Sequence, residues 1–258
     1  MSKNPFLGLG LRSPFLSFSR VMDVVATVYN ITNTGGAFNL RSTGTVNYTV
    51  NWGDGNSESS TSNTLTHTYT AGDYNITIDS DGVYSPYYNS RTADATQITS
   101  VAIGSGAVFG TSLGGAWQGA SKITSFVCPF DVTSSVTNFN LTWSSNASLT
   151  SFPLIDTSSG TSFFATWLNC SSLTSFPANM FDTTGTLGST AFYLSWTSCA
   201  LTAQSIENIL VSLDTNGATG ITLSINGGTN AAKTTWSAAA VTAYDNLIVK
   251  GWTISFNA

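Results

Sequence analysis

The chain has 258 residues, enough for one large domain or two ordinary ones, and 41% of them are hydrophobic. Only 8% are charged, far below the usual share of about a quarter, and eight Lys and Arg stand against thirteen acids for a net charge of −5. That balance excludes the basic patch that duplex nucleic acid needs, and no apolar run approaches the ~18 residues of a membrane-spanning helix, so neither nucleic acid nor membrane insertion is expected.

Residues 1–22 interleave Phe6, Leu7, Leu9, Leu11, Phe15, Leu16 and Phe18 with Gly, Ser and Pro. Pro5, Gly8, Gly10 and Pro14 oppose a long helix, and an apolar, non-helical arm cannot bury itself alone. Lys3, Arg12 and Arg20 carry its charge, and it contains no acid. The segment reads as a docking arm, with Phe6, Leu7, Leu11, Phe15, Leu16 and Phe18 as its contact residues; a disordered leader is the alternative. It lacks the continuous apolar stretch of an export signal.

Residues 23–92 alternate strictly in places. Val46, Tyr48, Val50 and Trp52 form one period-two run, and Tyr74, Ile76 and Ile78 form another. Val24, Ala26 and Val28, then Phe38 and Leu40, predict two earlier strands. Gly35-Gly36, Gly53-Asp54-Gly55, Ala71-Gly72-Asp73 and Asp81-Gly82 read as the turns between strands, which is the spacing of a small β-sandwich. Asp54 suits an Asx-type turn, and His67 reads as a structural hydrogen-bonder beside it.

Val50-Asn-Trp52-Gly-Asp54-Gly55, His67-Thr-Tyr69 and Gly72-Asp-Tyr74-Asn-Ile76-Thr-Ile78 appear in that order. Together they resemble the polycystic-kidney-disease (PKD) type of immunoglobulin-like domain. The resemblance covers roughly residues 23–80. It implies a β-sandwich that serves as spacer or interaction module and carries no catalytic residues.

Residues 93–202 repeat. Leu149-Thr-Ser-Phe-Pro153 returns as Leu173-Thr-Ser-Phe-Pro177, with relatives at Ile98-Thr-Ser-Val101 and Ile123-Thr-Ser-Phe126 and a degraded copy at Leu201-Thr-Ala203. The spacing of about 24 to 28 residues is that of a leucine-rich repeat. Trp117, Trp143, Trp167 and Trp196 precede each following repeat by five or six residues, and Asp131, Asp156 and Asp182 recur behind. Each unit is expected to supply one strand at Leu-Thr-Ser-Phe and one returning segment, with Trp, Leu and Phe stacked into a shared core. The Asp residues are expected to accept backbone amides, one per turn. A core column is the plainer reading of the tryptophans; exposed Trp143 and Trp167 as a sugar-stacking stripe is the functional alternative.

Asn169-Cys-Ser-Ser-Leu-Thr-Ser-Phe-Pro177 and Met180-Phe-Asp-Thr183 resemble BspA-type leucine-rich repeats. Bacterial members of that group are surface adhesins, and the pairing with a PKD-like domain resembles an arrangement in phage structural proteins.

Residues 203–258 read as a capping unit. Ile206, Ile209, Leu210 and Leu213 fall at helical spacing before Gly217, and Ile221, Leu223 and Ile225 alternate as a strand. A second helix through Ala238, Val241 and Leu247 ends at Gly251, and Trp252, Ile254 and Phe256 form a last strand. The expected fold class is mainly β: an Ig-like β-sandwich, a leucine-rich-repeat solenoid and a small α/β cap.

Chemistry is sparse. Three cysteines, Cys128, Cys170 and Cys199, fit a disulfide framework poorly and read as buried thiols, a Cys170–Cys199 bridge staying open. One histidine and no C-x-x-C argue against a metal centre, and no zincin motif or phosphate loop occurs. The expectation is a non-enzymatic virion structural protein without cofactor, assembled in the host cytoplasm as a homo-oligomer. The arm would hold it to other virion subunits, and the repeat surface would meet a host glycan or protein. A bacterial surface adhesin is the alternative, and a glycan-cleaving spike comes third.

Overall fold

The computed structural model describes residues 27–43, 47–89 and 92–258. The chain is mainly β. Strand β1 (Thr27–Thr43) pairs along nearly its whole length with β4 (Thr64–Ser80), antiparallel. Between them come β2 (Tyr48–Asn51) and β3 (Ser57–Ser60), and β5 (Ser85–Pro86) pairs the far end of β1. After the short helix α1 (Thr92–Ala95) follow β6 (Ile98–Ala102) and β7 (Ser125–Val127). The sheet order is β3-β2-β4-β1-β6-β7, antiparallel up to β6 and parallel from β6 to β7.

Two differences from the sequence reading share one cause. The strands expected at Val28 and at Phe38 and Leu40 are a single strand, with Val24 and Ala26 outside the described residues, and Gly35-Gly36 and Ala71-Gly72-Asp73 are not turns but lie in mid-strand. They face each other across the ladder, with Asn33 opposite Gly72 and Thr34 opposite Ala71. Tyr29, Ile31 and Asn33 are buried before the glycine pair, and Phe38, Leu40 and Ser42 after it, so the buried parity switches from odd to even. On β4 the buried residues switch from Tyr69 to Ile76 and Ile78. Gly35 (φ 98°) and Gly36 (φ 130°) supply the backbone flip that L-residues resist. The two halves of the ribbon therefore bury opposite backbone faces. Trp52, just past β2 at the Ile78 end, stacks on His67 at 4.8 Å and accepts the Tyr69 hydroxyl at its carbonyl (2.9 Å), closing one half upon the other.

Beyond β6 the chain winds in successive coils whose backbones pair in parallel. In the coil around Trp143, the amides of Leu141, Trp143 and Ser145 donate to carbonyls of Phe164, Thr166 and Leu168 one coil on (3.0, 3.0 and 2.7 Å). The intervening amides of Thr142, Ser144 and Asn146 close three-residue turns within the coil, each 3.2 Å. This alternation needs positive φ two residues either side of each tryptophan. Gly115 and Gly119 provide it around Trp117; Leu141 and Ser145, Ala165 and Asn169, and Leu194 and Ser198 provide it in the later coils. Non-glycine residues pay for that conformation, and the cross-coil ladder over-determines it. The coils are thus turns more than strands. After β7 the strand side survives only as bridges such as Ser151 to Ser175.

Three aromatic columns fill the interior. Trp117, Trp143, Trp167 and Trp196 stack at 5.8, 5.9 and 5.0 Å. Phe126, Phe152 and Phe176 stack at 5.8 and 5.7 Å. Phe139, Phe163 and Phe192 stack at 5.0 and 5.1 Å. The expected neighbouring rungs at Phe152 and Phe176 are present.

The C-terminal helices and strands fall where the sequence reading expected them. Helix α2 (Ala203–Asn216) is capped by the Thr202 side chain and ends at Gly217 in the left-handed conformation (φ 81°). Strand β8 (Thr222–Ile225) continues the coil ladder, helix α3 (Ala238–Val249) starts at a Ser237 cap, and β9 (Thr253–Phe256) pairs β8 in parallel. Trp252 extends the third aromatic column by stacking on Phe192 at 6.3 Å.

Candidate interaction surface

The repeated tetrapeptide explains what the coils show outward. In Leu149-Thr-Ser-Phe152 the first and last residues are buried while Thr150 and Ser151 are exposed; Ile123–Phe126 and Leu173–Phe176 repeat the pattern. Each of these coils therefore presents a Thr-Ser pair, and the pairs at Thr150 and Thr174 lie one backbone hydrogen bond apart. The threonines are fixed. Thr124 donates both its amide (2.9 Å) and its hydroxyl (3.3 Å) to the Thr99 carbonyl. Thr174 does the same to Thr150 (3.0 and 3.1 Å), and Thr202 to Thr174 (both 3.2 Å). At Thr124 and Thr174 the hydroxyl proton is thus committed to the backbone, and the oxygen's lone pairs remain for an outside donor, whereas the Thr202 oxygen caps α2. A second row repeats the device: the Thr137 hydroxyl meets the Thr111 carbonyl at 3.0 Å, and Thr161 meets Thr137 at 3.2 Å. The result is a pair of hydroxyl rows, each held in register by the backbone ladder.

The tryptophans do not contribute to it. Trp143 and Trp167 are 0% exposed, so the sugar-stacking stripe is overturned: the column that would have formed it is the core itself. Phe6, Leu7, Leu11, Phe15, Leu16 and Phe18 lie outside the described residues.

The expected aspartate ladder is also absent. Asp156 accepts an amide, but from Ser158 two residues on (2.8 Å), whereas Asp182 takes the Ser212 hydroxyl of α2 at 2.6 Å. At Asp131 it is the backbone carbonyl that accepts, from Ser134. The coils differ in length behind the Phe position, and their turns differ with them.

His67 sits where expected. Its Nε2 lies 2.7 Å from the Asp54 carboxylate, while Asp54 also accepts the Asn56 amide at 3.0 Å. The His67 hydrogen bond, foremost, brings the Asp54 carboxyl down to about 2. The imidazole is sandwiched by Trp52 and the edge of Tyr69, so the pair staples the turn to β4. Gly53 is required there: a Cβ on it would lie 2.5 Å from the Asn75 carbonyl oxygen, at φ 79°.

Cys128, Cys170 and Cys199 are free and buried. Burial pushes the Cys128 and Cys170 thiols up to about 12, and that of Cys199 well above its ordinary value. The Cys170 and Cys199 thiols donate to the Trp143 and Trp167 carbonyls (3.1 and 3.0 Å). Among the described residues no three His, Cys, Asp or Glu side chains gather as metal ligands, and no helix is long and apolar enough to cross a membrane.

No family model, no curated protein and no solved structure matches the chain. The outward Thr-Ser pairs were readable in principle, since the repeat conserves them as literally as it does the buried Leu and Phe.

Proposed function

We propose that the chain is a non-enzymatic structural protein of a bacteriophage virion, displayed on a tail, fibre or capsid surface. In this reading residues 23–92 are a PKD-like β-sandwich, whose two layers correspond to the two halves of the flipped ribbon. Residues 93–202 are a leucine-rich-repeat solenoid of the BspA type, closed by the α/β cap at 203–258. The arm at residues 1–22 holds the protein to other virion subunits, and the hydroxyl rows contact a host glycan or protein. The observation that carries the reading is the pairing of a buried aromatic spine with outward threonines, Thr124 and Thr174, whose hydroxyls are anchored to the backbone of the preceding coil. A preorganised polar face costs little entropy to bind with, which suits adhesion.

The test uses the purified chain and host-type polysaccharides. Saturable binding that Thr150→Val/Thr174→Val weakens, with no new reducing ends, supports the reading. New reducing ends would instead establish a glycan-cleaving spike. Failure of a chain lacking residues 1–22 to enter particles supports the arm's role; normal entry removes it. Display on a bacterial cell without any particle would favour the adhesin alternative.

A further inference from the structure

Five large apolar side chains lie on one flank of the first coils: Val83, Val108, Val127, Phe130 and Leu154, each between 42% and 55% exposed. Their backbones are neighbours. Val83 bridges Val108 in parallel, and Val108 shares a cleft with Asp131 and Val132. Phe130 precedes Asp131, its carbonyl accepts the Asp156 amide (2.9 Å), and Leu154 lies two residues before that amide. Val127 is the last residue of β7. A contiguous apolar flank on a chain this poor in charge marks a surface that something covers.

The topology says what is nearest to hand. Val28 pairs with Ala102, and Ala102 with Val127, so three strands end side by side. Because β1 runs antiparallel to β6, the start of β1 at Thr27 lies at the end of β6 from which the chain goes on through Ile103 to the loop that carries Val108. The segment before it is apolar, holding Phe6, Leu7, Leu11, Phe15, Leu16 and Phe18. Its charges in residues 1–22 are Lys3, Arg12 and Arg20, with no acid, while Asp131 and Asp156 edge the flank. Twenty-two residues reach up to about 70 Å when extended, far more than the flank requires. A tethered segment meets its seat at millimolar effective concentration, well above any second copy in dilute solution.

We propose that this flank is the seat of the chain's own N-terminal segment, residues 1–22. The seat is separate from the hydroxyl rows, and the proposal does not rest on the particle reading. Where that reading also holds, the seat stores the arm until assembly draws it onto a partner.

Trypsin tests the proposal on the full-length chain, because Lys3, Arg12 and Arg20 are its only targets in the segment. Cleavage of a seated segment follows the population of its released form. Val127→Ser/Phe130→Ser should speed cleavage at Arg12 and Arg20 by about tenfold, the loss of two apolar contacts. Asp131→Lys, an exposed change that leaves the core untouched, should speed it about threefold at low salt and less at high salt. Both effects should persist on 100-fold dilution of the protein (roughly from 50 μM), as an intramolecular seat requires. Cleavage as fast in the native chain as in either variant overturns the proposal. So does protection that disappears on dilution together with a dimeric mass, which would assign the flank to the arm of a second copy. Should the double variant lose its cooperative melt, Asp131→Lys alone decides.

Discussion

Replacing Phe152 by Ala removes one ring from the middle of a column. Phe152 is 5% exposed and lies between Phe126 and Phe176, nearly parallel to both at 5° and 9°. It also meets Trp143 and Trp167 edge-on, at 4.7 and 5.2 Å. A buried Phe→Ala change costs about 3–5 kcal/mol, and the rigid coil ladder leaves the cavity little chance to collapse, so about 4 kcal/mol is expected. That is a large part of a typical total of about 5–15 kcal/mol. Stacking adds a sharper test, because the rung contact belongs to a pair. A double-mutant cycle of Phe152→Ala with Phe176→Ala should return a coupling of about 1 kcal/mol. The same cycle with Phe38→Ala, which shares no ring contact with Phe152, should be additive within about 0.5 kcal/mol. Urea unfolding followed by tryptophan fluorescence reads all of these, since Trp143 and Trp167 flank the site. Additivity of Phe152 with Phe176, or a loss below about 1 kcal/mol for Phe152→Ala, would refute the shared spine.

Acid titration should expose the staple at the first turn. Asp54 has its carboxyl lowered to about 2 in the folded chain against an ordinary value near 3.8, so its contribution is full above about pH 4 and is lost as pH falls through 2; Asp54→Asn should flatten the acid limb of a stability–pH curve in that window. Gly53→Ala should lower stability by more than about 1 kcal/mol in thermal melts, because the new Cβ would meet the Asn75 backbone at a positive φ, and Gly55→Ala, with open space around its Cβ, should cost less. Cys170 and Cys199 should be silent to a thiol reagent at pH 8 in the native protein and react once urea unfolds it, since burial raises both thiols; rapid native labelling would show that the coils open locally.

The sequence disclosed the spine because the repeat copies it: Leu, Phe and Trp recur at one period, and stacking follows from period alone. The cap was legible for a different reason. Thr202, Gly217, Ser237 and Gly251 punctuate α2 and α3 with side chains whose capping chemistry is local. The glycine pair misled because Gly35-Gly36 supplies positive φ in a turn and in a mid-strand flip alike, and only the partner strand decides between them. Asp131, Asp156 and Asp182 misled because period fixes where a residue falls along a coil, not which amide faces it. The left-handed residues around each tryptophan carried no warning: Leu141 and Leu194 have no local reason to adopt positive φ, and the cross-coil ladder imposes it.

That imposed backbone has a cost which helps to explain the outer face. The indole nitrogens of Trp143, Trp167 and Trp196 are buried without a hydrogen-bond partner, as are both polar atoms of the Asn146 side chain. Each such group forgoes about 1–3 kcal/mol of solvation. A chain selected for stability alone would carry Phe or Leu at these positions, which pack without an N–H. Tryptophan instead stacks a wide flat ring on those of the neighbouring coils, at 5.8, 5.9 and 5.0 Å along the column. The expense inside is intelligible if the outside must be flat and in register over several coils. Replacing Trp143 with Leu separates the two demands: relieving the unpaired nitrogen offsets part of the lost packing, while the hydroxyl rows of neighbouring coils lose their alignment. A variant of near-native stability that binds as well as the native chain would show that the face does not depend on the ring beneath it.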